Sequence, residues 1–188
     1  MIPKSRPQQK RDETLKQLKA ANVSDPVCLV GIRGYYRDSM GAKGKQDRGI
    51  YDDAIILVSP NAHIAYNANV DPSRSGRNPS NGKGYASLKP GVYRYKIGRH
   101  GISRGNPYKA LVQAGPVTVM RDGGVEETGW YGINIHRGGI KTTGSEGCQT
   151  LPPGANWNGF IATVESEMKR NNAKTVSYVL THPRKDIS

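Results

Sequence analysis

From Pro90 onward the apolar residues of this chain come in short runs, each closed off by Gly, Pro, Asn or Asp. That rhythm favours short strands joined by turns over long helices. The runs are GVYRYKIG, YKALVQAG, PVTVMRDGG and ETGWYGINIH, and Asp122-Gly123-Gly124 is a strong hairpin signal between the last two. Upstream, Ala54 to Ser59 (AIILVS) reads as a buried strand and Pro60-Asn61 as a turn. His63 to Asn69 is then its hairpin partner, with Ile64, Tyr66 and Ala68 on one face. Thr175 to Thr181 alternates Val176, Tyr178 and Leu180 as a final strand. With 23 Gly, 12 Pro and a hydrophobic share of 35% in 188 residues, the expected fold is loop-rich and mostly β with short helices, an α+β protein.

Two segments have helical character. Asp12 to Asn22 places Leu15 and Leu18 three apart, with Asp12 and Glu13 where the helix dipole favours acid and Pro26 blocking continuation. After Cys148, Phe160, Ile161, Val164 and Met168 recur at helical spacing, with Asn156 or Asn158 as the expected cap. Residues 1 to 11 carry four basic residues and two prolines and read as a flexible basic arm. The expected division is therefore an arm and short helix over residues 1–25 and one domain over 26–188. Within that domain, an apolar run at Val27 to Val30 leads into a long glycine-rich loop. A second long loop, residues 70–88, carries Arg74, Arg77 and Lys83, and loops of such length are usually functional or disordered.

A net charge of +13 points to an anionic partner: nucleic acid, acidic lipid or a bacterial wall. Two cysteines, Cys28 and Cys148, are too few for a disulfide scaffold and read as free thiols, Cys28 as a buried small hydrophobe within VCLVGI. The N-terminus has charges but no apolar core of a leader, and no stretch approaches the roughly 18 apolar residues of a membrane span. Synthesis in the cytoplasm without a signal peptide is expected. His63, His100 and His182 have no metal-ligand spacing with one another or with carboxylates, so neither metal nor other cofactor is expected. Asp52-Asp53 reads as a polar start to the strand behind it, Tyr35, Tyr36 and Tyr51 as packing over the sheet, and Trp130-Tyr131 as pocket wall or core in equal measure.

The segment richest in chemistry is Gly132 to Leu151, GINIHRGGIKTTGSEGCQTL. His136 ends an apolar strand, four glycines follow, and Cys148 closes a Ser-x-Gly-Cys turn twelve residues on. A thiolate is the nucleophilic form of cysteine, and a nearby histidine can take its proton and store it as imidazolium. A glycine-rich turn lets backbone N–H groups approach a developing oxyanion. Cys148 also lies outside any apolar run, which removes the usual reason for burying a cysteine.

Ser145-Glu146-Gly147-Cys148, with Ile135-His136 and Gly138 upstream, resembles the catalytic motif of the YkuD-like L,D-transpeptidases, and the likeness extends over roughly residues 50 to 165. The resemblance implies a β-rich fold, a cysteine acyl-enzyme mechanism and peptidoglycan stem peptides as substrate. It assigns Cys148 as nucleophile and His136 as base and later acid. The N–H of Cys148, with that of Gly147, would line the oxyanion hole, and the Arg137 carbonyl would orient the imidazole. Ser145 would shape the turn or contact substrate, as would Gly138 and the Arg137 side chain. The chain departs from the family in a shorter His-to-Cys gap, in Glu146 where many members have histidine, and in Gln149-Thr150 where many have an aliphatic residue and arginine. Loss of that arginine favours hydrolysis over transpeptidation.

The expectation is thus a peptidoglycan hydrolase of the endolysin type, acting in the periplasm or wall in phage lysis. L,D-transpeptidation or service as an injected antibacterial effector is the alternative. A further alternative is a basic nucleic-acid-binding or virion protein with a vestigial site, using the loops around Arg74 to Arg104 with Tyr85, Tyr93 and Tyr95.

Overall fold

The computed structural model describes residues 1–45 and 47–181, which leaves His182 outside the described residues. Two adjacent strands, β1 (Cys28–Ile32) and β2 (Asp53–Val58), are buried along their whole length and pair antiparallel. Their side chains alternate between two apolar clusters. Leu29, Ile55 and Leu57 face the larger one, while Cys28, Val30, Ile32, Ala54, Ile56 and Val58 face the smaller. Burial on both faces is why these strands read as continuous apolar runs rather than as alternating ones. The smaller cluster is covered by helix α1 (Arg11–Ala20) through Leu18, and Leu15 turns away to solvent. The larger is covered by helix α2 (Ala155–Arg170), which inserts Trp157, Phe160, Ile161, Val164 and Met168 at the expected helical spacing.

The remaining strands are β3 (His63–Ala68), β4 (Ala86–Leu88), β5 (Gly91–His100), β6 (Tyr108–Gln113), β7 (Val117–Arg121), β8 (Glu126–Gly129), β9 (Ile135–Arg137), β10 (Gln149–Leu151) and β11 (Val176–Thr181). Eight of the strands form one mixed sheet in the order β10-β9-β6-β5-β11-β1-β2-β3, with β1–β11 and β9–β10 parallel. Its two edges meet at a single antiparallel bridge, where Asn69 and Thr150 exchange N–H to carbonyl bonds of 2.8 Å, so the sheet is nearly closed. The other three strands form a small sheet, β4-β7-β8, with the expected Asp122–Gly124 turn joining β7 and β8.

The mostly β fold with two helices is as expected, and five details differ. The run ETGWYGINIH is two strands in two sheets, because Gly132 takes a left-handed φ of 66° and the Gln113 side chain binds the intervening segment. Gln113 Nε2 donates to the Gly129 carbonyl, and its Oε1 accepts from the N–H groups of Tyr131 and Ile133. Strands β4 and β10 fall in stretches read as loop and turn, since three residues are too few to carry a periodicity. Helix α2 is preceded by Gly154 rather than capped by Asn156 or Asn158. Asp53 is buried and ties the chain together, its two oxygens accepting from Gly34 and Val70 N–H at 2.6 Å each, which a solvated strand start would not do.

The fifth difference is the N-terminal arm, which lies on the domain. Pro7 is buried, the Ser5 carbonyl accepts from Tyr36 Oη (3.2 Å) and Asn67 Nδ2 (2.9 Å), and Arg6 stands over the Tyr66 ring. Tyr35 and Gln8 exchange two bonds of 2.7 Å. Tyr35 and Tyr36 therefore hold the arm, a partner that local sequence does not reveal.

A glycine inside β1 shows how tightly the barrel-like core is filled. A Cβ on Gly31 would lie 2.1 Å from Tyr178 Oη, whereas one on Gly159, exposed on α2, would meet nothing within 4 Å. Gly31→Ala is expected to destabilise the protein by about 1–3 kcal/mol through overpacking. Gly159→Ala is expected to stabilise it by about 0.5–1 kcal/mol by removing unfolded-state freedom. Urea melts of the two variants check both signs.

Candidate active site

The parallel pairing of β9 with β10 brings the two ends of the glycine-rich loop side by side. Thr150 lies opposite His136 and Gln149 opposite Ile135, so Cys148, one residue before β10, falls beside Asn134. The loop between them is fastened from outside. Tyr51 Oη donates to the Gly139 carbonyl (2.7 Å), and Ser73 exchanges backbone and side-chain bonds with Ser145. Packing holds position 138 to glycine, since a Cβ there would come within 2.2 Å of Tyr51 Oη.

Ser145 shapes the turn. Its Oγ donates to the Cys148 carbonyl (2.6 Å) and accepts the Gly147 N–H (3.0 Å). Gly147 itself has φ 154°, and a Cβ would run into the Ala86 carbonyl at 2.6 Å, so only glycine fits. Ser145 thereby removes the Gly147 N–H from the expected oxyanion hole. The N–H of Cys148 has no hydrogen-bond partner among the described residues.

The half-buried Cys148 thiol donates to the Gly132 carbonyl (3.3 Å), and its Sγ accepts the Asn134 N–H (3.4 Å). His136, buried at 4% exposure, holds its Nδ1 against the Arg137 carbonyl at 2.8 Å. A carbonyl only accepts, and Tyr108 Oη, 3.0 Å from the same nitrogen, donates to that carbonyl at 3.2 Å, so the proton is on Nδ1 and Nε2 is the free lone pair. The orienting role assigned to the Arg137 backbone is thus present in the geometry. The Arg137 side chain instead lies over the Tyr108 ring at 4.8 Å.

Sγ of Cys148 and one ring nitrogen each of His136 and His100 lie within 4.8 Å of one another. His100, set aside in the sequence for want of ligand spacing, stacks on His136 with centroids 3.8 Å apart and planes at 12°. Nothing in the linear spacing signals this, because β5 reaches β9 only through β6. Asn134 Nδ2 lies 3.2 Å from His100 Nδ1, which leaves Nε2 as the uncommitted ring nitrogen of His100.

Around these groups is a cleft of about 310 Å³, walled on one side by Ala86 of β4 and Arg121 of β7. Arg104 and Glu146 face it 4.0 Å apart, and Glu146 is held by Asn78 Nδ2 at 3.1 Å. Tyr131 lines the cleft, whereas Trp130 is an exposed side chain outside it. No cation follows the cysteine. Gln149 is buried, bonded to the Gly147 carbonyl and Tyr178 Oη, and Thr150 belongs to the bridge that closes the sheet. Arg104, read in the sequence only as part of the basic loops, is an exposed cation on this cleft.

Burial drives His136 down to about 3, with His100, Arg104 and Arg137 adding repulsion and the Arg137 carbonyl opposing it. Burial likewise pushes the Cys148 thiol up to about 11, against the Asn134 N–H and Arg104 and reinforced by Glu146. The pair therefore rests as neutral thiol and neutral imidazole, not as the stored imidazolium and thiolate expected from the motif. Cys28 is buried, with its thiol pushed to about 12, as a structural cysteine should be.

Compared with protein-family models, curated proteins and solved structures, the chain matches none of them.

A neutral resting pair has a kinetic signature. The iodoacetamide reaction of Cys148 should climb steadily between pH 7 and 10, because thiolate forms only as pH approaches the raised value of about 11. A rate already flat from pH 6 upward would mean a resting ion pair. Cys28 should stay unlabelled throughout in the folded protein.

Proposed function

We propose that the chain is a cysteine-nucleophile acyl-transfer enzyme acting on amide bonds of peptidoglycan stem peptides, with water as the favoured acceptor. The observation that carries the reading is Cys148 beside an imidazole whose tautomer leaves Nε2 free, on the wall of an open cleft. A cysteine kept only for packing needs neither the cleft nor the orienting carbonyl.

In the reaction, Nε2 of His136 takes the thiol proton as Sγ bonds to the substrate carbonyl carbon. The tetrahedral oxyanion accepts from the N–H of Cys148. Collapse breaks the C–N bond, and the leaving amine takes the proton from His136. Water then attacks the thioester with His136 as base, releasing the carboxylate and restoring the thiol. Because the resting pair is neutral, proton transfer and attack proceed together, and charge develops only once substrate has displaced water from the cleft.

The choice of substrate rests on the motif resemblance and on the charge of +13, which suits an anionic wall. Arg104 and Glu146 in the cleft suit a peptide end that carries both a carboxylate and an amine. Hydrolysis is preferred to transpeptidation because no cation follows the cysteine. Tyr85, Tyr93 and Tyr95, the tyrosines a nucleic-acid reading would use for stacking, are at most 7% exposed.

Cys148→Ala and Cys148→Ser should each abolish conversion of purified sacculi while leaving the circular dichroism spectrum unchanged. His136→Ala should lose about 10²- to 10⁴-fold. Mass spectrometry of the digest identifies the bond and the acceptor; unchanged muropeptides with the wild-type protein would rule out this substrate. Salt should weaken binding to whole sacculi more than turnover of a short stem peptide, since surface fields are screened over roughly 8 Å at 0.15 M. Equal sensitivity of the two would place the steering charge inside the cleft.

A further inference from the structure

One donor to the oxyanion is missing. The turn before the nucleophile would ordinarily offer two backbone N–H groups, but Ser145 Oγ occupies that of Gly147 and leaves only that of Cys148. A single donor in a cleft open to solvent is a weak oxyanion site.

His100 stands where a second donor is needed, and its hydrogen bonds decide which nitrogen carries the proton. The Gln113 N–H donates to Asn134 Oδ1 at 3.1 Å, which fixes the orientation of the Asn134 amide. Asn134 Nδ2 consequently points at His100 Nδ1, 3.2 Å away, and donates to it. With Nδ1 an acceptor, the proton of neutral His100 is on Nε2. Burial and Arg104 both act against protonation of His100, so the neutral form dominates. The two stacked imidazoles therefore carry opposite tautomers. His136 has a proton on Nδ1 and a lone pair on Nε2, and His100 has a lone pair on Nδ1 and a proton on Nε2.

We propose that His100 is a further catalytic residue, whose Nε2–H completes the oxyanion hole opposite the N–H of Cys148. The distances allow it. A ring nitrogen of His100 lies within 4.8 Å of Sγ, and because Nδ1 is engaged by Asn134, Nε2–H is the donor that His100 has available for the oxygen on the carbon that Sγ attacks. No proton is transferred from His100. It gives a hydrogen bond to the oxygen as the C=O bond opens, and it keeps its proton when the C–N bond breaks. Asn134 serves both parts of the reaction, with its backbone N–H on Sγ and its side chain fixing the tautomer of His100.

The inference rests on Cys148 as nucleophile but not on peptidoglycan as substrate, and the test uses two small probes that separate the two. p-Nitrophenyl acetate acylates a thiol through a tetrahedral oxyanion, whereas iodoacetamide alkylates it by displacement at carbon with no oxyanion. In His100→Phe, which keeps a stacked ring without a donor, acylation of Cys148 followed by mass spectrometry should fall about 10²- to 10³-fold, with alkylation within twofold of wild type. His100→Gln, which retains an N–H donor, should recover to within about tenfold. His136→Ala should lower acylation as well, since the base is lost. Nitrogen-15 NMR of the wild type should report Nε2–H for His100 and Nδ1–H for His136.

Acylation of His100→Phe within threefold of wild type would overturn the assignment. So would a parallel loss of acylation and alkylation, which would mean that His100 acts on the thiol, and so would an Nδ1–H tautomer at His100. If His100→Phe does not fold, the His100→Gln ratio and the tautomer decide. Ester acylation that depends on His100 together with untouched sacculi would count against peptidoglycan and leave the role of His100 standing. A wild-type thiol inert to the ester would sink both.

Discussion

Three residues of parallel strand pairing, Ile135–Arg137 against Gln149–Leu151, hold the candidate site in register. A parallel pair must be reached by a connection that doubles back, and here that connection is the glycine-rich loop itself. The pairing sets His136 opposite Thr150 and so sets Cys148 beside Asn134, from which its thiol takes an N–H. Thr150 also makes the bridge to Asn69 that brings the sheet edges together. A shift in register by one residue would turn His136 to the other face and break the closure at once.

Burial governs the electrostatics of the site more than charge does. Although the chain carries an excess of 13 positive charges, the thiol and the imidazole are both held neutral, the one pushed up and the other down by desolvation. The cations near the cleft are engaged elsewhere, Arg121 with Glu127 and Arg137 with the Tyr108 ring, and Arg104 faces Glu146. A thiol held neutral limits stray reaction of the sulfur with water-borne electrophiles. Hydrogen-bond direction does the remaining work. The carbonyl of Arg137 and the amide of Asn134 are fixed groups, and each assigns a tautomer to the histidine beside it.

Fold and site were legible to different depths. The pairing of Asp53–Val58 with His63–Ala68 and the helix of Phe160, Ile161, Val164 and Met168 follow from periodicity, because each buries enough apolar side chains to impose one. Strands β4 and β10 are fixed by partners distant in sequence and are too short to have a period. The arm over residues 1–11 looks solvated by composition, yet Tyr35, Tyr36 and Asn67 bind its backbone. Cys148, His136, Ser145 and the Arg137 carbonyl were readable from one motif, whereas His100 and Arg104 enter the site from the β5 end and its 3₁₀ turn, Ile102–Arg104.

The sequence by itself determined most strand and helix runs, two thiols in contrasting surroundings, and a histidine and cysteine separated by a glycine-rich loop. Those properties are local, set by side-chain chemistry and short spacing. The tertiary structure alone decided the protonation of the pair, the occupation of the Gly147 N–H by Ser145, and the stacking of His100 on His136. Desolvation depends on everything packed around a group. A hydrogen bond goes to whichever partner the fold brings within reach, so neither can be read from neighbours along the chain.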